Sequence, residues 1–280
     1  PPKARPKQVR TVEWIAGDVE ADEALAGLRS ECYPAIVEFL RAEDGPVDVS
    51  WVYAESGCQR YHLNKLAERE LVAFDAQETW RDPLADETFV PDTPPPLTSD
   101  QQVVWDAIRA DPQPDAFLLH GVTGSGKTEI YLRAVAETLE RGQRAIVLVP
   151  EISLTPQTIH RFGARFGRRV ALFHSALTKG ERYDVWRQIR ARQKEIVIGP
   201  RSALFVPLSE IGLIVLDEEH DASYKQTAPR PRYHARDAAL ELGRLTGAKV
   251  ILGSATPSLE SYHRAQGGAL KLLEMPRRIM

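Results

Sequence analysis

The chain has 280 residues, of which 43% are hydrophobic and 27% are charged, and its formal net charge is −3. This composition permits at least one sizeable core, and the longest apolar runs, such as AIVLV at 145–149, are far shorter than the roughly 18 residues of a membrane helix. We therefore expect a soluble globular protein that does not span a bilayer.

The N-terminal sequence and the number of cysteines limit the class of protein. The N-terminus, PPKARPKQVR, has neither an initiator Met nor an apolar signal segment, so we expect a piece of a longer chain. Cys32 and Cys58 are too few for a four-ligand zinc site, and we expect both to be free thiols rather than a disulfide.

A proline cluster, PDTPPPLT at 91–98, divides the chain by charge. Residues 1–96 contain 10 Lys and Arg against 19 Asp and Glu, whereas residues 97–280 contain 26 against 20. Because proline fixes φ and lacks a backbone donor, residues 91–97 are predicted to be a linker between a domain at 1–90 and a domain at 98–280. The basic balance of the second part predicts that it holds most of any nucleic-acid contact.

The first 90 residues predict a small winged-helix domain that begins with a basic N-terminal linker. Helices are expected over 34–40 and 58–70, and LVAFDAQETW at 71–80 is expected to form a short hairpin that turns at 75–77. The second helix could enter a DNA groove, but the acidic surroundings favour a spacer or protein-contact role, and both remain open. Its polar side chains are Arg60, His62, Asn64, Lys65 and Arg69.

The second part alternates between apolar strands and helical patterns. One helix is predicted over 128–141, with Gly142 as its C-terminal cap. Apolar strands that are each followed by a helix predict a parallel sheet covered on both faces, which is a doubly wound α/β domain. The predicted strands are 116–120, 145–150, 170–175, 195–200, 213–218 and 249–255.

GVTGSGKTEIYL at 121–132 fits the phosphate-loop pattern between a strand and a helix. Its glycines leave room for backbone N–H groups to surround phosphate, Lys127 would reach the β- and γ-phosphates, and the Thr128 hydroxyl would bind Mg²⁺. A glycine-rich turn without this role is the alternative. The predicted nucleotide contacts are Gly121, Thr123, Gly124, Ser125, Gly126, Lys127 and Thr128.

Two later motifs follow predicted strands. In LIVLDEEH at 213–220, Asp217 is expected to hold the Mg²⁺ shell and Glu218 to deprotonate the attacking water. In LGSATPS at 252–258, Ser254 and Thr256 could sense phosphate or DNA through the acidic motif, or Thr256 could be a helix N-cap. The sequence leaves these two alternatives open.

Taken in order, LTSDQ, GVTGSGKTEIYL, LVPEISLTPQ, FHSALTKGER, IGPRSALF, DEEHDASYKQ, RYHARD and LGSATPSLES resemble helicase superfamily 2. Within it they are most similar to the PriA family of primosomal DNA helicases, from about residue 97 to residue 261. The resemblance implies a RecA-like first helicase lobe after a winged helix, and an ATP- and Mg²⁺-dependent 3′-to-5′ DNA helicase of the bacterial cytoplasm and nucleoid. That enzyme would act at stalled forks, restart replication and load the primosome.

The resemblance also implies roles for individual residues. Gln101 would read adenine, His220 would couple the nucleotide site to DNA, and Lys127, Asp217 and Glu218 would be catalytic. Residues 223–237 occupy the place of an aromatic-rich DNA-sensing loop, and their tyrosines and cations suit single-stranded DNA, although a solvated charged loop is the alternative. The expected DNA contacts are Thr155, Gln157, Arg201, Tyr224, Lys225, Arg232, Tyr233 and Arg236.

Departures and missing modules limit these expectations. Pro200 stands where the family usually has a small hydroxyl residue, which puts one DNA contact in doubt. A second lobe and a zinc-binding module are expected only in the full-length protein, so this chain should bind ATP and DNA but hydrolyse ATP poorly. The expected partners are forked and single-stranded DNA, single-stranded DNA-binding protein and primosome proteins. A DNA-binding scaffold that loads partners without hydrolysis, and more remotely a metabolic phosphate-loop kinase, are the alternatives.

Overall fold

The computed structural model describes residues 7–17, 25, 28, 30–43, 45–85, 87–110 and 116–279. Its contacts divide the chain into two compact units, one within Arg5–Trp80 and the other within Arg81–Met280. The smaller unit has one cluster of buried apolar side chains, and the larger unit has two. The boundaries predicted for the domains, at 90 and 98, stay a prediction.

The smaller unit packs helices on a small antiparallel sheet, which agrees with the predicted winged-helix class. The strands are β1 (Lys7–Trp14), β2 (Val47–Asp48) and β3 (Val72–Thr79), and the helices are α1 (Cys32–Ala42), α2 (Val49–Ser56) and α3 (Arg60–Ala67). The sheet order is β2-β1-β3, and the apolar core includes Val12, Ile36, Leu40 and Leu63. The helices expected at 34–40 and 58–70 are therefore confirmed, whereas α2 was not predicted.

One expectation for this unit is wrong. Residues 72–79 form one continuous strand rather than a hairpin that turns at 75–77, and residues 7–14, for which no strand was predicted, form another. The two strands pair in antiparallel register from Trp14 opposite Val72 to Lys7 opposite Thr79. Because β1 supplies hydrogen-bond partners along the whole of β3, the backbone groups of β3 are satisfied without a turn that pairs β3 with itself.

The larger unit contains a parallel sheet that confirms the predicted doubly wound, RecA-like α/β class. Within residues 116–279 its seven strands are β4 (Ala116–Gly121), β5 (Arg144–Leu148), β6 (Val170–Leu172), β7 (Ile196–Gly199), β8 (Ile211–Leu216), β11 (Lys249–Ser254) and β12 (Lys271–Met275). They lie in the order β12-β4-β11-β8-β5-β7-β6, and every neighbouring pair is parallel. Only β12 is absent from the sequence-based strand list.

Helices cover both faces of this sheet. Apolar side chains of α4 (Ser99–Ala110), α5 (Lys127–Glu140) and α6 (Pro156–Phe166) join one core cluster, and those of α7 (Lys179–Arg190) and α8 (Ala235–Thr246) join the other. A further helix, α9 (Leu259–Gln266), follows β11, and a two-stranded ribbon of β9 (Lys225–Gln226) and β10 (Tyr233–His234) precedes α8. Across the described ranges, none of the helices combines the length and the apolar character needed to cross a membrane.

The proline-rich segment at 91–97 belongs to the larger unit and packs on its helices. The Asp92 N–H donates to the Ala164 carbonyl at 3.1 Å, and Arg133 Nη2 donates to the Pro95 carbonyl at 2.6 Å. Gly163 is required beside this segment, because a Cβ there would lie 2.2 Å from the Phe89 ring. The segment therefore follows α5 and α6 towards the carboxyl ends of the strands.

Candidate nucleotide site and DNA-facing surface

A cleft of about 600 Å³ opens at the carboxyl ends of the parallel strands in the larger unit. Ligands of open α/β sheets bind at this edge because the loops that follow the strands converge there. The cleft brings together the phosphate loop after β4 and the acidic motif after β8, as the sequence predicts. Its lining includes Asp92, Pro95, Thr123, Gly124, Gly126, Lys127, Thr128, Glu129, Arg161, Asp217 and Glu218.

The phosphate loop has the geometry of an anion cradle. Gly124 and Gly126 have φ of +81° and +83°, in the left-handed region that favours glycine. A Cβ at Gly126 would also lie 2.3 Å from the Gln101 amide nitrogen. The Ser125 hydroxyl is buried and has no hydrogen-bond partner among the described residues, and the Lys127 Nζ is held by the Gly121 carbonyl at 2.8 Å. These features fit a triphosphate, whose oxygens would accept from the unpartnered Ser125 hydroxyl and attract Lys127.

Asp217 and Glu218 lie on the floor of the cleft. The Tyr131 hydroxyl donates to Asp217 Oδ1 at 3.0 Å, and the Glu218 backbone N–H donates to the same atom at 3.1 Å. Burial, together with the charge of Glu218, raises the pKa of Asp217. The oxygen donors of Asp217 and Thr128 line one cavity and are the type that Mg²⁺ prefers.

His220 connects the acidic motif to the end of β11. Its Nδ1 lies 2.8 Å from the Ser254 hydroxyl and 3.7 Å from a Glu218 carboxylate oxygen. Its Nε2 lies 3.4 Å from the Thr256 hydroxyl. The alternative of Thr256 as a helix N-cap is wrong, because α9 begins at Leu259 and the Ser258 hydroxyl caps it by accepting from the Ser261 N–H.

Comparison with known proteins decides the family. Residues 98–265 match the DEAD/DEAH box helicase model, which is more than half of the chain. The chain belongs to the DEAD/DEAH box helicase family.

Curated relatives of this DEAD/DEAH box helicase confirm the narrower resemblance to PriA. The chain is 42% identical to the replication restart protein PriA of Bacillus subtilis (strain 168), over 99% of this chain and 35% of that protein. It is 47% identical to the replication restart protein PriA of Chlamydia pneumoniae, over 98% of this chain and 37% of that protein. The chain therefore spans about a third of the length of these relatives.

A solved structure supports the fold alone. The structure of RecG bound to a three-way DNA junction superposes with a TM-score of 0.51 at 24% identity, and covers 67% of this chain and 25% of that chain. At this identity the likeness extends to the RecA-like architecture of the helicase lobe.

The helicase lobe contains a buried acidic network that the sequence analysis missed. Glu219 is fully buried, and its carboxylate accepts from the Ser258 N–H at 2.7 Å, from the Ser261 hydroxyl at 2.8 Å and from Arg236 Nη1 at 3.4 Å. A signal was present, because Glu219 is the third acidic residue in succession after an apolar strand and a polar PSLES turn follows β11. The network joins the acidic motif to the starts of α8 and α9.

Two predicted DNA contacts of this helicase lobe are wrong because their side chains are buried. Tyr224 is fully buried, and its hydroxyl donates to the Asp217 carbonyl at 2.7 Å, so the ring cannot stack on a base. Arg236 is 6% exposed and is held by Glu219 and by the Ser258 hydroxyl at 2.6 Å. Both residues instead stabilise the acidic motif from inside the protein, Tyr224 through the Asp217 carbonyl and Arg236 through the Glu219 carboxylate.

The remaining predicted DNA contacts are accessible. Tyr233 is half-buried and lies edge-on to the exposed Phe205, with 5.1 Å between ring centroids, and Arg201 donates to the Ser223 carbonyl. Lys225 and Arg232 are exposed on or beside the β9–β10 ribbon. At the start of α6, Thr155 and Gln157 are also exposed, and the Thr155 hydroxyl accepts from the Thr158 N–H.

Two further predicted positions have clear structural surroundings. The Gln101 side chain is 2% exposed: its carbonyl accepts from the Thr98 N–H at 2.8 Å, and its amide lies 3.4 Å from the Ser125 and Gly126 carbonyls. Gln101 therefore braces the phosphate loop, and adenine recognition by this residue stays a prediction. Pro200 is buried and precedes the 3₁₀ turn Arg201–Phe205, so its ring faces the protein.

Proposed function

We propose that this chain is the ATP-binding first motor lobe of an ATP-dependent DNA helicase that acts in replication restart. The observation that supports this most is the convergence of Lys127, Thr128, Asp217 and Glu218 on one cleft. Family membership supports a helicase, and the names of the curated relatives support a role in replication restart.

Each residue of the cleft has a distinct role in this proposal. Lys127 leaves the Gly121 carbonyl to contact the β- and γ-phosphates, while the phosphate loop surrounds them with backbone N–H groups. Bound Mg²⁺, held by Thr128 and Asp217, would neutralise phosphate charge. Glu218 accepts a proton from the attacking water. His220, whose Nδ1 lies 3.7 Å from the Glu218 carboxylate, orients that carboxylate.

The DNA-facing part of the proposal uses the exposed cluster around Phe205 and Tyr233. Aromatic rings next to unburied cations bind single-stranded DNA, because every base has a face to stack and every nucleotide carries a charge. The exposed cations are Lys225, Arg230 and Arg232. Unwinding from 3′ to 5′, action at stalled forks, and loading of primosome proteins with single-stranded DNA-binding protein as a partner belong to this proposal through the PriA resemblance.

The activity is proposed for the full-length protein. An arginine from a second lobe is worth about 10³ to 10⁵ in rate in comparable phosphoryl-transfer sites, so the 280-residue chain by itself is proposed to bind ATP but to hydrolyse it slowly. DNA-stimulated hydrolysis by this chain at the full-length rate would contradict that part of the proposal.

The test compares ATP hydrolysis by the full-length protein with and without single-stranded DNA. Lys127→Ala and Glu218→Gln should each lower the stimulated rate at least about 100-fold, since each removes a group that acts on the transferred phosphoryl or on the water. Lys179→Ala, at an exposed position on α7, is the matched control and should keep the rate. Fork unwinding that persists in Lys127→Ala would contradict the motor and favour the scaffold without hydrolysis.

A further inference from the structure

Arg161 on α6 lines the nucleotide cleft, although no sequence motif assigns it a role. Its side chain borders the large cleft together with Lys127, Thr128 and Glu218. It also borders a second, smaller cavity of about 100 Å³ with Thr128, Gln157 and Asp217. Arg161 therefore lies where the residues suited to Mg²⁺ meet the first turns of α6.

The position of Arg161 is fixed by the next turn of the same helix. Arg165 Nη2 lies 3.1 Å from a Glu129 carboxylate oxygen and 3.0 Å from an Asp92 carboxylate oxygen. Because Glu129 directly follows Thr128, the Arg165–Glu129 ion pair holds α6 against the first turn of α5. Arg161 precedes Arg165 by four residues, just over one helical turn and about 6 Å along the axis, on the same face of α6. This turn is closer to the start of α6, which follows the carboxyl end of β5.

The carboxylates nearest to Arg165 on α6 are already paired with other arginines and are not ion-pair partners of Arg161. Asp92 and Glu129 are occupied by Arg165, and Glu129 also binds Arg133 at 3.0 Å. Lys127 and Arg161 are the two cationic side chains among the described residues that line the cleft, and Lys127 is held by the Gly121 carbonyl. Within the part of the chain that the structure describes, the Arg161 guanidinium makes no hydrogen bond, ion pair or ring contact.

We propose that Arg161 binds the γ-phosphate of ATP and so supplies a cation to the transferred group from within this lobe. This inference rests on the proposed function. The planar guanidinium fork matches phosphate oxygens with two parallel hydrogen bonds. The γ-phosphate is assigned because Arg161 borders the smaller cavity together with Thr128 and Asp217, which would hold Mg²⁺ at the transferred group, whereas Thr123 and Gly124 line the larger cleft.

The test measures binding of ADP and of a non-hydrolysable ATP analogue to the full-length protein with Mg²⁺. In Arg161→Ala, the Kd for the analogue should rise about tenfold while the Kd for ADP stays within about twofold, because only the analogue carries the γ-phosphate. Arg161→Lys should lie between Arg161→Ala and the unchanged protein, since it keeps the charge and loses the fork. Arg168→Ala, an exposed arginine outside the cleft lining, is the matched control and should bind both nucleotides normally.

The outcomes separate the inference from the proposed function. Equal loss of ADP and analogue binding in Arg161→Ala would overturn the γ-phosphate assignment, and unchanged analogue binding would overturn the contact itself. If the unchanged protein bound neither nucleotide, the proposed function would fail and this inference with it. Because Arg161 is exposed and unpaired, Arg161→Ala should keep its thermal unfolding temperature, which separates lost binding from lost folding.

Discussion

His220 Nδ1 lies 2.8 Å from the Ser254 hydroxyl, so the acidic motif after β8 is bonded to the end of the neighbouring strand β11. His220 is also 3.7 Å from the carboxylate of Glu218, the proposed general base. A displacement at the end of β11 would therefore change the position of the imidazole and, through it, of the base.

We expect Ser254→Ala to separate basal from DNA-stimulated hydrolysis. The substitution removes the partner of His220 and the acceptor of the Thr256 N–H, which lies 2.9 Å from the Ser254 hydroxyl. Stimulation by single-stranded DNA should fall more than the basal rate, because Lys127, Asp217 and Glu218 remain. Thr256→Val, which removes only the longer 3.4 Å contact, should have the smaller effect. The same ratio of stimulated to basal rate in Ser254→Ala and the unchanged protein would rule out this coupling.

A second prediction concerns Gly253, whose missing side chain leaves room for Tyr131. A Cβ at Gly253 would lie 1.6 Å from the Tyr131 hydroxyl, and that hydroxyl donates to Asp217. Gly253→Ala should therefore displace the tyrosine and lower the free energy of unfolding by about 1–3 kcal/mol, measured by urea denaturation.

Tyr131→Phe provides the comparison for that experiment, because it removes the atom nearest to the new Cβ. The double variant should be less destabilised than the sum of the two single variants, as expected for residues that share one space. Gly267→Ala is the control, since its nearest neighbour would be 3.5 Å away and its φ is −79°. Additive losses in the double variant would show that Gly253 and Tyr131 act independently.

The fold of the larger unit was predictable because its central strands are continuous apolar runs. Such runs indicate strands buried on both faces, and all six were confirmed. The edge strand β12 was missed because KLLEM is half-exposed and lacks such a run. In the smaller unit, β1 and β3 pair across about sixty residues, and local patterns do not contain that pairing.

The candidate site was predictable where its chemistry is contiguous. GVTGSGKT and DEEH each specify residue types and spacing, and the structure brings both to one cleft. Burial is a tertiary property, however, so a tyrosine and an arginine in a charged loop looked like DNA contacts although Tyr224 and Arg236 lie inside. Arg161 lies in no motif, and only the packing of α6 on α5 reveals its place in the cleft.

A third prediction concerns the buried pair of Glu219 and Arg236. Arg236→Met should lower the free energy of unfolding by about 3–5 kcal/mol, because it leaves the fully buried Glu219 carboxylate without its positive partner. Urea denaturation measures the loss, and Arg244→Met, which breaks a fully exposed pair with Glu241, is the control and should change stability far less. Adding Glu219→Gln to Arg236→Met should recover part of the stability. No recovery would mean that the carboxylate is not the source of the loss.

The last prediction is a pH dependence at His234, whose Nδ1 accepts the Arg236 N–H at 3.3 Å and caps α8. Burial, reinforced by the charge of Arg236, lowers the pKa of His234, although Asp237, Glu219 and Glu260 oppose this shift. A histidine in the unfolded chain has a pKa of about 6.5 and therefore binds the proton more tightly than His234 does in the folded protein. The free energy of unfolding should consequently fall as the pH drops below about 6.5 towards the folded pKa.

His234→Asn keeps a capping acceptor without titrating, and urea denaturation between about pH 8 and about pH 5 should show a shallower loss of stability than in the unchanged protein. His263→Asn, at an exposed position, is the control, and an equal loss in His234→Asn and the unchanged protein would assign the dependence to other groups.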